Sequence, residues 1–399
     1  MGEKIRAKII EKESRIIEFT KSLIKIPTRN PPGENYSKII KIIKRELGNE
    51  KLVFRIYKSN GKPNLVVLWD TGSKKTLGIN GHIDTVPVTP NWKHKPFEPV
   101  VEDGKLFGRG AQDMKSSLAS MVYAIKILKE LKIKPVCNVE LSFTCDEESG
   151  GVDGLGYLVK NNLSKADFAI TLDGPNTEIN NAHKGILVLE IMVVGKSSHA
   201  AWPHNGINAF TGACNLAVEL EKLNQELSRT ESKCDTKEKI EKHPTIVLGG
   251  LTSGGSKFNV IPGEFSFTVD RRIIPEEDII DVKKQIMRVI DDFKVKNREY
   301  TVQIKTLLEA KPAYVSKNST ISKVLFNNIT KVIGKTPSFF LLPGFLDMRF
   351  FVNEAKIDCV NYGVEGGNLH GDDEFVYTKT ICDNVCVLIN LLLDNELIE

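Results

Sequence analysis

Apolar positions along the chain alternate between a helical and a strand-like period. The opening segment carries Ile5, Ile9, Ile16, Leu23 and Ile24 at helical spacing and stops before Pro27. Pro31, Pro32 and Gly33 then predict a loop. Short apolar runs at 65–69, 77–79, 139–143 and 168–172 have the length and composition of strands. Between the second and third of these lies 114–128, where Leu118, Met121, Val122, Ile125 and Leu128 repeat as on a helix face. A different block begins near His183. It reads as strand 186–194, helix 207–223, a charged stretch over 226–242, strands 245–251 and 264–272, helix 276–293 and strand 300–308. That order is a β-α-β-β-α-β unit. The expected fold class is therefore α/β: a discontinuous domain over 1–182 and 310–399, with a mixed central sheet flanked by helices. A smaller ferredoxin-like α+β domain is inserted over 183–309.

The length of 399 residues supports this division, since one hydrophobic core seldom serves so long a chain. The net charge of +4 is spread over many Lys, Arg, Asp and Glu, with no basic block interleaved with aromatics, so no nucleic-acid partner is expected. The first residues are charged and helix-periodic rather than an apolar signal core. No stretch approaches the roughly 20 apolar residues of a membrane span. A cytoplasmic protein without a membrane partner is the expectation. The seven cysteines are scattered and form no CxxC pair, which argues against a disulfide framework or a zinc knuckle.

The candidate chemistry tracks the ends of the predicted strands. His82 and Asp84 follow the run at 77–79, Asp146, Glu147 and Glu148 follow 139–145, Asp173 follows 168–172, and His370 comes after a strand-like 358–362. Open α/β sheets place ligand sites at such carboxyl ends. Taken singly, each residue has an ordinary reading: a histidine bonded to backbone, an N-capping Asp113, an acidic loop facing solvent. Taken together they set a metal site level with those readings. Two histidines with several carboxylates suit zinc, cobalt or manganese better than calcium. Two close metals need a bridging carboxylate, and Asp113, after the turn at Gly108-Arg109-Gly110, is the natural one. Of the neighbours Glu147 and Glu148, one can bind metal and the other take a proton.

The motifs carry a resemblance. Gly81-His82-Ile83-Asp84-Thr85-Val86-Pro87 and Gly108-Arg109-Gly110-Ala111-Gln112-Asp113-Met114-Lys115 resemble segments of the acetylornithine deacetylase, succinyl-diaminopimelate desuccinylase, aminoacylase and glutamate carboxypeptidase family of di-metal hydrolases. Asp146-Glu147-Glu148-Ser149-Gly150 is similar to a third segment, and Ser198-His199-Ala200-Ala201-Trp202-Pro203-His204-Asn205-Gly206 to a fourth. Asn259-Val260-Ile261-Pro262, Asp270-Arg271-Arg272 and His370 complete the order along nearly the whole chain.

The resemblance implies two divalent metal ions, zinc first, with cobalt or manganese as alternatives. His82 and Asp173 would hold one, Glu148 and His370 the other, with Asp113 between them and the Asp113–Met114 peptide cis. Asp84 would orient His82, Glu147 would act as general base, and His199 would supply an oxyanion donor. Arg272 would grip a substrate carboxylate, helped by Asn259 and the backbone near Gly344. Asp347 and Arg349 would stabilise a loop. The implied activity is hydrolysis of an N-acyl amino acid of the acetylornithine or succinyl-diaminopimelate type. A metallo-carboxypeptidase or dipeptidase on the same scaffold is the alternative, and a non-catalytic binding protein a remote one. The implied partners are a small N-acyl amino acid or short peptide, and a second copy of the chain through the inserted lid and dimerisation domain.

Overall fold

The apolar runs pair side by side in the order Val53–Ser59, Lys62–Trp69, Asn138–Thr144, Thr76–His82, Phe168–Thr171 and Cys359–Asn361, followed by Glu178–His183. Asn138–Thr144, Thr76–His82, Phe168–Thr171 and Cys359–Asn361 run parallel to one another. The strands on either side are antiparallel, so the sheet is mixed. Thr76–His82 is buried at every position, as expected of a central strand covered on both faces. The computed structural model in which these elements are seen describes residues 2–48 and 50–398. It divides into one compact unit of Met1–Asn181, Val315–Phe340 and Leu346–Glu399, and another of Ala182–Tyr314 with Leu341–Phe345.

Parallel strands end at the same edge of a sheet. The loops that follow His82, Thr144 and Thr171 therefore open together. Behind them, helix Ser116–Glu130 is buried almost all round and packs against Gly2–Ile24 and Thr378–Leu392. Gly81 makes that packing possible, since a Cβ there would lie 2.6 Å from Leu118 Cδ2 and 2.8 Å from Met114 Cε. The periodicity had marked neither helix Tyr36–Leu47 nor edge strand Val53–Ser59. It also missed a small antiparallel sheet in the order Gly366–Gly367, Phe375–Tyr377, Lys105–Phe107, Val100–Glu102.

In the other unit, Gly185–Val194, Ala209–Leu227, Thr245–Gly254, Glu264–Ile273, Ile279–Lys296 and Thr301–Ala310 follow one another along the chain. The four strands form an antiparallel sheet in the order Thr245–Gly254, Glu264–Ile273, Gly185–Val194, Thr301–Ala310. Leu187, Leu189, Ile191 and Val193 alternate inward and meet Leu216, Leu220, Ile286 and Ile290 of the two helices. Both helices begin two or three residues later than their apolar spacing predicts, because capping residues fix the start. Asn208 accepts from the Phe210 and Thr211 amides, and Asp278 from the Ile280 amide. Among the described residues no helix is long and apolar enough to cross a membrane.

Candidate metal centre

His82 is the last residue of its strand, paired in register with Thr144. Its ring Nδ1 lies 3.1 Å from the Asp84 backbone oxygen and 3.5 Å from Asp84 Oδ1. The other ring nitrogen is left to face the site: Nε2 is 2.9 Å from Asp113 Oδ1 and 3.9 Å from Asp173 Oδ2. On the opposite side, His370 Nε2 lies 3.0 Å from Asp113 Oδ2 and 3.4 Å from Glu148 Oε2. One donor atom from each of His82, Asp113 and Asp173 falls within 4.8 Å of the others, and the same holds for Asp113, Glu148 and His370. Asp113 belongs to both groups and turns one oxygen to each.

Local structure explains these positions. Gly110 sits at φ 82, and a Cβ on it would come within 2.8 Å of Thr85 Cγ2, so the chain turns there as only glycine does easily. The irregular turn Ala111–Lys115 follows, and its Asp113–Met114 peptide is cis. Asp173 is fixed through Asn361, whose Oδ1 accepts the Asp173 amide at 2.9 Å. The buried Asp84 carboxylate accepts from Asn30 Nδ2 at 2.9 Å and from the Glu147 and Glu148 amides at 3.3 and 3.2 Å. Asp84 thus ties the acidic loop to the strand that carries His82. Glu148 is held further by the Val86 amide at 3.0 Å. Glu147 lies in neither metal-ligating group.

Arg349 braces the turn behind this loop, its Nη1 lying 3.7 Å from Asp347 Oδ1. A Cβ on Gly151 would come within 2.0 Å of Asp347 Oδ1, and Arg349 donates to the backbone oxygens of Gly150 and Leu346. Asp153 and Lys62 hold Asp146 from the other side, through the Asp153 amide at 3.0 Å and the Lys62 ammonium.

The electrostatics follow from crowding acids in a dry place. Burial, then the negative charge of Asp113, pushes Asp173 up to about 8 and Glu148 up to about 7. Burial pushes Glu147 well above the ordinary carboxyl range and Asp347 up to about 6. Hydrogen bonds to Asp113 and Glu148 raise His370 to about 10. For His82, burial opposes the charge, but Asp113 and Asp84 outweigh it and the ring is raised. Each shift marks a site that favours added positive charge. The donor atoms fit divalent ions of the zinc type: two imidazole nitrogens and three carboxylates. A sharper indication is that His82 Nε2 and Asp113 Oδ1 are buried and neither makes an aligned hydrogen bond, although they lie 2.9 Å apart.

His199, Asn259, Arg272 and Gly344 belong to the other unit. There His199 pairs with Val260 across a short two-strand ladder, and the Ala200 amide donates to the Asn259 backbone oxygen at 3.0 Å. The His199 ring is exposed, its Nδ1 accepting from the Ala201 amide at 3.0 Å. Arg272 makes a two-pronged ion pair with Asp270, at 2.8 and 3.0 Å. Gly344 lies in the Leu341–Phe345 segment.

The sequence assigned no role to three residues of the centre. Asn30 reaches Asp84 from a loop read only for its prolines. Glu374 accepts the amides of Gly110, Gln112 and Asp113 at 2.9, 2.9 and 3.0 Å. Arg109 pairs with Glu374 at 2.7 Å, both side chains being buried. Their spacings, one residue before Gly110 and four after His370, were the available clues.

Comparison with known proteins gives a consistent result. Residues 78–394 match the peptidase family M20/M25/M40. An uncharacterized metallohydrolase of Methanocaldococcus jannaschii is 34% identical over 296 residues, covering 69% of this chain and 70% of its own. The succinyl-diaminopimelate desuccinylase of Nitratiruptor sp. is 26% identical over 368 residues, covering 90% of this chain and 94% of its own. Among solved structures, the M20 family metallo-carboxypeptidase Sso-CP2 from Sulfolobus solfataricus superposes with a TM-score of 0.79 at 22% identity, over 94% of this chain and 98% of that one.

Proposed function

The chain belongs to peptidase family M20/M25/M40 and is a metallohydrolase, and from that premise we propose that it removes the acyl group from an N-acyl amino acid, with Glu147 as general base. The observation that supports this reading best is the pair of three-residue groups that share Asp113, with Glu147 beside them and in neither. The relative named as a succinyl-diaminopimelate desuccinylase, aligned over most of both chains, favours an acylated diamino acid as substrate.

His82, Asp113 and Asp173 would hold one ion and Asp113, Glu148 and His370 the other, zinc first, with cobalt or manganese as alternatives. Two such ions supply an activated water and a polarised carbonyl. Glu147 takes the proton of the attacking water at its carboxylate and passes it to the leaving amine. Asp84 keeps the His82 ring turned and the acidic loop in place. His199 donates to the oxyanion that develops on the carbonyl.

Arg272 takes the substrate carboxylate, with Asn259 and the backbone near Gly344. Asp270 pairs with the guanidinium through Nε and Nη2, so the substrate anion would be taken on the remaining edge. Arg272→Ala is expected to raise KM about 10–100-fold, the loss of one charge-assisted contact of about 1.5–3 kcal/mol, with kcat changed much less. An unchanged KM in steady-state kinetics would remove Arg272 from this role.

The smaller unit would carry a homodimer contact. Its strand Thr245–Gly254 lies at an edge of the sheet with Val247 and Leu251 exposed. Light scattering at working concentration is expected to give twice the chain mass, and a strictly monomeric species counts against the contact.

The activity itself is tested with purified protein, zinc or cobalt added, on N-acetylornithine, N-succinyl-diaminopimelate, N-acetyl amino acids and simple dipeptides. One acyl amino acid turned over far above the rest supports the proposal and names the substrate. Broad dipeptide cleavage moves the protein to the carboxypeptidase and dipeptidase side. No turnover with metal bound overturns the carboxylate-recognition argument.

A further inference from the structure

His370 stands apart from the other candidate ligands. His82 sits at the end of a buried central strand, and Asp173 follows another at once. His370 lies in an irregular segment with its ring more than half exposed. Its backbone is left-handed at φ 60, as are Asn368 at φ 60 and Asp373 at φ 53. Left-handed backbone is uncommon outside glycine, and contacts from outside the segment hold it here.

The main contact is the buried Arg109 guanidinium. Its Nη2 donates to the backbone oxygens of His370 at 3.1 Å and Gly371 at 3.0 Å, and its Nη1 to Glu374 Oε2 at 2.7 Å. The Trp92 ring covers the guanidinium, its centroid 5.2 Å from Cζ. Glu374 in turn takes the Asp113 and Gln112 amides on Oε1 and the Gly110 amide on Oε2. An outer strap ties the same segment down. Asp373 accepts from the Lys93 and His94 amides and meets His94 Nδ1 at 2.9 Å, while Asp372 accepts from Thr89 Oγ1.

We infer that Arg109 and Glu374 are positioning residues: the pair locks the Asp113 turn and the His370 backbone into one frame, which sets the distance between these two ligands. Neither side chain belongs to a candidate ligand group. Of the candidate ligands, Arg109 contacts only His370, through its backbone oxygen, whereas Glu374 takes the amide of Asp113, which belongs to both groups. This rests on the ligand assignment of the preceding section.

The contacts predict distinct effects for two variants. Arg109→Lys retains a cation able to reach Glu374 but loses the fork that holds the His370 and Gly371 oxygens. It should weaken the ion on Glu148 and His370 roughly 10–100-fold, the usual effect of losing a group that orients a ligand, and leave the ion on His82 and Asp173 near its original affinity. Glu374→Gln keeps the shape but gives up the anion and one acceptor, and should weaken both ions.

The experiment is a calorimetric titration of metal-free protein with cobalt(II), with the visible cobalt spectrum recorded alongside and the melting temperature of each metal-free variant measured. A split in the two affinities for Arg109→Lys, with a changed spectrum for the weakened ion, supports the inference. If the variants lower the melting temperature while both affinities stay as in the original protein, the residues are merely structural and the inference is overturned. Should Arg109→Lys not fold, Glu374→Gln decides, and unchanged binding of both ions overturns the inference. His370→Ala is the control for the ligand assignment. If it still binds two ions as tightly, that assignment fails; if it loses one while Arg109→Lys loses none, only the frame does.

Discussion

Glu147→Ala is expected to bind two metal ions as the original protein does and to lose roughly 10²–10⁴-fold in kcat, the range that general acid–base catalysis contributes. Metal retention follows from geometry, because the Glu147 side chain is outside both ligand groups while Glu148 is inside one. The loop itself survives the change, since Asp84 holds it through the backbone amides of Glu147 and Glu148. The rate falls because the carboxylate that takes the proton of the attacking water is gone. Asp347 is the rival base, since both its oxygens are buried without a hydrogen-bond partner, but it packs against Gly151 at the back of the turn. Metal analysis and steady-state kinetics on one preparation check this. Full activity would end the general-base assignment, and loss of one ion would make Glu147 a ligand instead.

Glu374→Ala should act on stability before it acts on anything else. The carboxylate is buried, pairs with a buried guanidinium and accepts three backbone amides. Removing one member of a buried ion pair leaves the other charge without compensation, at about 3–5 kcal/mol. Exposed pairs such as Lys283 with Glu309, or Lys284 with Asp281, should change stability by about 1 kcal/mol or less when broken. Denaturant unfolding of the metal-free protein compares the two classes directly. A Glu374→Ala midpoint within error of the original would mean that the buried pair is solvated in the native state.

The parts of the fold legible in the sequence were those where burial imposes a period. Thr76–His82, Asn138–Thr144 and Phe168–Thr171 are buried at nearly every position and carry short apolar runs, although Glu140 and Ser142 interrupt the second. His82, Asp113, Glu148, Asp173 and His370 were legible as a set through their motifs, and the strand ends explained their company. What escaped lies where the cause is tertiary. The strands Lys105–Phe107 and Phe375–Tyr377 have three residues each and exist because Phe107 and Phe375 face one another across the ladder, far apart along the chain. No local pattern records such a pairing. Val53–Ser59 is an exposed edge strand whose polar residues hide its period. Glu374 was hidden for a similar reason, since its importance lies in amides of a segment more than 260 residues away.

The two ligand groups draw on positions from His82 to His370, all within the first unit. An ion bound to such a set acts as a reversible cross-link between distant parts of one polypeptide. The unfolded chain does not hold those five side chains together, so ion binding and folding become a single linked equilibrium. At a free-ion concentration a hundredfold above its dissociation constant, one site adds about 2.7 kcal/mol to the stability of the native state. The concentration of available metal thus becomes a variable of the protein's lifetime as well as of its activity.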